Sequence, residues 1–219
     1  MKLTKLRCNV LILCAFVFLA FSAPPKKVLI IGDSISIGYF PHVKKALEGE
    51  AEVFHNPGNA QHTGTGLRLI DTWLGEGEYD VILFNWGLWD LCYRHPESTV
   101  QGQRDKLTGE VTFTVDRYEE NLTQLVKRLK QTEAKLMFVM TTVVPPGEPG
   151  RFEGDEETYN EAAKAIMEKY GVEVLDLHTP SVTIHQAYKK GVGNVHYTRE
   201  GSQKLAGYVT EGVRRLLTY

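Results

Sequence analysis

Cysteine is scarce in this 219-residue chain: Cys8, Cys14 and Cys92 are the only three. Two of them lie in the first fourteen residues, so the body of the protein holds one thiol. That excludes an internal disulfide framework there and a cysteine-based metal cluster. Beside Leu91 and Tyr93, Cys92 reads as a small buried hydrophobe rather than a nucleophile. A surplus of basic charge is also lacking. Lys and Arg number 25 against 27 Asp and Glu, a net charge of −2, and no nucleic-acid partner is expected. Low-complexity linkers, internal repeats and a second core are absent from the pattern as well.

Long apolar runs are missing except at the start. Lys2, Lys5 and Arg7 precede the stretch Val10–Ala20, and Ala20-Phe21-Ser22 places small residues at the −3 and −1 positions of a cut after Ser22. This is the pattern of a secretory signal peptide. It is short for a membrane span, which needs about 20 apolar residues. The expected organisation is a leader over 1–22 and one domain over 23–219. The leader carries three bases and no acid, so its loss leaves 22 basic against 27 acidic residues, a net charge of −5. The expected location is outside the cytoplasm, secreted or periplasmic, with no stable membrane span once the leader is gone.

What the chain does contain is an alternation of two periodicities. Short apolar runs at 27–31, 51–54, 81–84, 135–140 and 172–175 read as buried parallel strands. Between and after them, Tyr118–Leu129, Thr158–Tyr170 and Arg199–Leu217 place apolar residues on one helical face. This predicts an α/β protein, a parallel sheet covered by helices on both faces. The segment Pro145–Gly150 reads as a rim over the C-terminal edge of the sheet, and Asp155-Glu156-Glu157 as a helix N-terminus. His62, His95, His178 and His185 lack metal-ligand spacing and read as surface or capped residues; no metal and no cofactor is expected. The sequon Asn121-Leu122-Thr123 falls on a helix and reads as incidental.

Polar residues gather where strands end. Gly32-Asp33-Ser34 follows the first strand and opens a helix. A serine there can offer both an exposed hydroxyl and a backbone N–H, although Ser or Asp at such a turn is also ordinary capping chemistry. Gly58 and Asn59 follow the second strand, where a close backbone approach and an amide donor are available. Asn85-Trp86-Gly87-Leu88-Trp89-Asp90 follows the third, and His196 precedes the last helix with Thr198 as its N-cap.

Taken in order, these four blocks resemble the SGNH (GDSL-like) hydrolase superfamily over roughly residues 26–217. The resemblance implies a three-layer α/β/α sandwich of the flavodoxin-like kind. It also implies Ser34 as nucleophile, His196 as its base, and the N–H groups of Ser34 and Gly58 as oxyanion donors. Asp33, Asn59, Trp89 and Asp90 complete the expected oxyanion and substrate surroundings. Two positions depart from the family pattern. Trp89 stands where the third block has an Asn that donates to the oxyanion, leaving Asn59 or Asn85 to supply an amide. Gly193 stands three residues before His196, where an Asp orients the ring; Asn194, Asp176 or Asp90 are the groups left for that role.

The function expected is a secreted ester hydrolase that removes small acyl groups, from carbohydrate esters ahead of lipid. Trp86, Trp89 and Tyr93 are available to stack on sugar rings. The alternatives are a non-catalytic carbohydrate-binding protein on the same fold, or a lipid esterase; no long apolar lid is visible for the latter.

Overall fold

The computed structural model describes residues 24–218. The leader expected over 1–22 lies outside the described residues.

Runs of β-branched and large apolar side chains form the centre. In β1 (Lys26–Ile31), the last four residues are buried, and all four of β3 (Val81–Phe84) are buried. Strands buried on both faces must be covered on both sides, and they are. The five-stranded sheet is parallel throughout, in the order β2 (Ala51–His55), β1, β3, β6 (Lys135–Val139), β7 (Glu173–Leu175). Helices α1 (Ser34–Ala46), α5 (His178–Tyr188) and α6 (Arg199–Thr218) pack together as one layer. Helices α2 (Thr63–Leu74), α3 (Val115–Leu129) and α4 (Asp155–Tyr170) form the other. The architecture is the expected three-layer α/β/α sandwich. None of the helices among the described residues is long and apolar enough to cross a membrane.

All five strands lie where the apolar runs predict them. The helices predicted at 118–129 and 158–170 each begin three residues earlier, at Val115 and Asp155. Two further helices and a small hairpin carry no clear periodic signal. In α2, two glycines and three threonines give weak helix propensity. Its start is set from a distance: Asp90 Oδ1 accepts from both the N–H and the Oγ1 of Thr63, at 2.9 and 2.5 Å. In α5, Pro180 and β-branched residues blur the pattern. The hairpin of β4 (Tyr93–Arg94) and β5 (Glu110–Val111) is only two residues per strand.

The order of strands decides where a site can sit. From β1 the chain moves to one side for β2 and then to the other for β3. Connections therefore leave the C-terminal ends of β1 and β3 in opposite directions and open a crevice between them. Gly32–Ser34 and Gly87–Asp90 end these two strands.

Asp90 itself is not in that crevice. It is fully buried beneath it, bracing α2, with Asn121 Nδ2 donating to the same Thr63 Oγ1 at 3.1 Å. Asn121 is thus buried too, and its sequon is closed to modification. Burial raises the Asp90 pKa to about 7, against which the bonds from Thr63 act. Between 3.8 and about 7 the unfolded chain has released this proton and the folded chain keeps it, so this group's contribution to stability declines as pH rises through that window. We expect the Tm of wild type relative to Asp90→Asn to fall between about pH 4 and pH 7. Thermal melts across that range check this; parallel curves would contradict it.

Candidate active site

The turn after β1 resolves the two roles open to Asp33 and Ser34. Asp33 is the N-cap of α1, its Oδ1 accepting from the Ile35 N–H at 2.9 Å. That frees the Ser34 hydroxyl, which lies 2.9 Å from His196 Nε2 across 162 residues of chain. Asn56 holds the turn from the next strand end: its Oδ1 accepts from the Gly32 N–H at 2.9 Å, and its Nδ2 donates to Gly58 O at 3.3 Å.

His196 is oriented by Asn194. One side-chain oxygen accepts from the His196 backbone N–H at 2.9 Å and lies 2.7 Å from the ring Nδ1. A backbone N–H only donates, so the atom facing it is the amide oxygen. That oxygen accepts, so Nδ1 carries the proton and Nε2 presents a lone pair to Ser34. The tautomer follows from geometry alone. Burial lowers the His196 pKa below its usual value, and Lys190, Arg151 and Arg104 push in the same direction.

The Asn194 loop is pinned in turn by α5. His185 is buried, not at the surface as the sequence suggested, and its Nε2 donates to the Asn194 carbonyl at 2.7 Å. Its ring meets Tyr197 edge-on at 5.3 Å. Among the other histidines, His62 is the N-cap of α2, its Nδ1 accepting from the Thr65 N–H, and Thr198 accepts from the Gly201 N–H at the start of α6 as expected.

The remaining expected residues divide. Asn59 and Trp89 line the same cavity of about 380 Å³ as Ser34 and His196. Gly58 takes a φ of 71°, a conformation that suits glycine, in the turn leading to Asn59. Asn59 Oδ1 accepts from the Gln61 N–H at 2.8 Å, which leaves its Nδ2 for the cavity. Asn85 is committed elsewhere, its Nδ2 donating to Val139 O at 2.7 Å between β3 and β6. Asp176 is exposed and accepts from the N–H and Oγ1 of Thr179 in the first turn of α5, so Asn194 and not Asp176 holds the ring. Trp86 is buried against Phe84 and offers no stacking face to a ligand. The face of Trp89 is covered by Arg94, 4.7 Å from the ring centroid, while Tyr93 meets Phe152 edge-on. Cys92 is buried as expected, and burial pushes its thiol pKa up. Sequence reasoning missed Arg94, Arg104 and Arg151 on the cavity wall, because they come from the β4–β5 excursion and from the loop before α4, brought together only by the fold.

This arrangement can withdraw a proton from the Ser34 hydroxyl to Nε2 and hold a carbonyl oxygen near the N-terminus of α1. Among the described residues, no cluster of His, Cys, Asp or Glu is suited to a metal ion.

Comparison with known proteins gives a concordant result. Residues 30–204 match the model of the GDSL-like lipase/acylhydrolase family. No curated protein matches the sequence. Several solved structures share the fold. A lipase/acylhydrolase from Enterococcus faecalis superposes with a TM-score of 0.70 at 18% identity, over 87% of this chain and 96% of that one. An acetyl xylan esterase, AlAXEase, gives 0.67 at 15%, over 85% and 99%. A psychrotrophic esterase from Pseudoalteromonas sp., inhibited by monoethylphosphonate in its structure, gives 0.66 at 16%, over 89% and 100%.

Gly193 explains why no acid stands three residues before His196. Its φ is 63°, and a Cβ there would lie 2.3 Å from the Gly147 carbonyl oxygen. Positive φ and a clash with backbone together exclude a side chain. Gly193→Asp is expected to cost about 2 kcal/mol or more and to lower Tm by about 4–8 °C, with no gain in activity. Melting and turnover measured together check this; a stability-neutral gain in kcat would contradict it.

Proposed function

Since the chain belongs to the GDSL-like lipase/acylhydrolase family, we propose that it is an exported serine esterase that removes small acyl groups. The observation that carries the reading is the continuous line from Asn194 Oδ1 through the His196 ring to Ser34 Oγ, at 2.7 and 2.9 Å. The basic and apolar pattern of residues 2–22 supports export. A cavity of about 380 Å³ walled by arginines favours a small polar ester over a lipid chain. A carbohydrate ester is the substrate class this reading prefers, in keeping with the esterase on xylan among the structures of the same fold.

Ser34 Oγ attacks the acyl carbonyl carbon as its proton passes to His196 Nε2. The negative charge that forms on the carbonyl oxygen is met by the N–H groups of Ser34 and Gly58 and by the Asn59 amide. Collapse breaks the ester bond, and Nε2 returns the proton to the leaving alcohol. Water, deprotonated by the same nitrogen, then attacks the acyl-serine, and the acid departs with Ser34 restored. The Asn194 amide fixes the ring throughout, but a neutral oxygen stabilises imidazolium less than a carboxylate does.

Ser34→Ala and His196→Ala should each abolish cleavage of a short-chain aryl ester while leaving the melting curve intact, and the double variant should be scarcely worse. More than a few per cent of wild-type activity in Ser34→Ala would exclude this nucleophile and favour a binding role for the cavity. Because the His196 pKa is lowered, the acid limb of kcat/KM should lie below pH 6.5.

Asn194→Asp preserves both contacts and adds a charge. It should move that limb to higher pH and raise kcat by about tenfold, whereas Asn194→Ala should lower kcat by about tenfold or more. Unchanged pH–rate profiles in both variants would show that Asn194 does not act on the base.

A further inference from the structure

The wall facing Ser34 and His196 is cationic in a way that ester hydrolysis alone does not require. Arg94, Arg104 and Arg151 all line the cavity. Arg104 and Arg151 share one carboxylate oxygen, Glu148 Oε1, at 2.6 and 2.8 Å. Glu148 is fully buried, and its second oxygen accepts from the Gly150 N–H. Asp33 also lines the cavity, but its Oδ1 is used on Ile35 and burial raises its pKa. Among the described residues, Arg94 has no carboxylate partner. Its guanidinium meets the face of Trp89, the Thr112 hydroxyl and the Gly102 carbonyl. Three guanidinium groups against two carboxylates leave excess positive charge in a half-enclosed space.

Taking a cation out of water is costly unless an anion compensates it. Arg94 feels that cost, since desolvation is the main cause lowering its pKa. Guanidinium groups also present paired N–H donors suited to carboxylate, sulfate or phosphate oxygens.

We propose that the esterase site described above accepts acyl esters that carry an anionic group, held by Arg94 with Arg104 and Arg151 while Ser34 attacks. The proposal rests on the serine-esterase reading and adds a charge requirement to it. The alcohol leaves toward His196, whose ring feels the charges of Arg151 and Arg104, so the anion is placed on the alcohol portion, as in an acylated sugar that bears a carboxylate. An arginine wall serving only the tetrahedral oxyanion would not distinguish charged from neutral substrates, which gives the test its handle.

The probes are 4-acetoxybenzoate and its neutral methyl ester, with the 4-nitrophenyl monoester of succinic acid set against 4-nitrophenyl butyrate to place charge on the acyl side. Wild type should favour 4-acetoxybenzoate over the methyl ester by about tenfold or more in kcat/KM at low salt. The ratio should shrink as ionic strength rises, because partly exposed charges are screened. In Arg94→Gln it should collapse toward one, and Arg94→Lys should restore part of it. A ratio near one in wild type overturns the proposal, as does a ratio that survives Arg94→Gln. A preference confined to the succinyl monoester overturns the assignment to the alcohol side. Titration of 4-acetoxybenzoate into Ser34→Ala, with and without Arg94→Gln, reads binding without turnover. Binding that depends on Arg94 supports the anion site even if hydrolysis fails, and absence of binding overturns it. Failure of the serine-esterase reading shows separately, as activity that persists in Ser34→Ala or as no cleavage of any of the four esters. Arg94 is the residue to vary because truncating Arg104 or Arg151 takes away one of the two cationic partners of the buried Glu148.

Discussion

A parallel sheet buried on both faces leaves no room for unpaired polar groups along its strands, and the chemistry of this protein is arranged around that constraint. At the centre of the sheet, β1 pairs with β3 wholly through apolar residues, Val28–Ile31 against Val81–Phe84. Polar side chains can gather only where strands stop. The strand order then selects one of those ends, between β1 and β3, because their connections diverge there. Ser34, Asn59, Trp89 and His196 reach this crevice from four different connections.

Around the crevice, buried carboxylates hold the loops that a sheet cannot. Asp90 ties the end of the β3 connection to the start of α2. Glu156 accepts from the N–H groups of Val144 and Gly154, spanning the proline-rich segment after β6. Glu148 joins that segment to Arg104 of the β4–β5 excursion, while Arg151 donates to the Leu88 carbonyl at 2.6 Å. The acidic run 155–157 thus does more than favour a helix dipole: Glu156 is a buried loop clamp, with only its neighbours left to solvent or the helix end. The same clamps that rigidify the rim bring the arginines to the cavity, so bracing and charge at the site arise from one network.

The sandwich and its five strands were legible from apolar runs because burial on both faces demands continuous hydrophobic residues, a signal carried in a few consecutive positions. Helices with one apolar stripe, such as α3 and α6, were legible for the same reason. The pairing of Ser34 with His196 was legible only through the order of four short blocks, which resembles a known superfamily. Helix α2 was not, since its start depends on Asp90, 27 residues away.

By itself, the amino-acid sequence determined the layers of the fold, the strand ends that carry polar residues, and the glycine at position 193 that leaves no acid at its usual place. It could not decide which group orients His196, because Asn194, Asp176 and Asp90 are equivalent as side-chain acceptors until the chain is folded. Tertiary structure decided it: His185 fixes the Asn194 carbonyl, so the side-chain oxygen falls between the His196 N–H and Nδ1, while Asp176 and Asp90 are spent on Thr179 and Thr63. The convergence of Arg94, Arg104 and Arg151 was likewise invisible beforehand. Charge along a chain becomes a field only when distant segments are folded onto one wall.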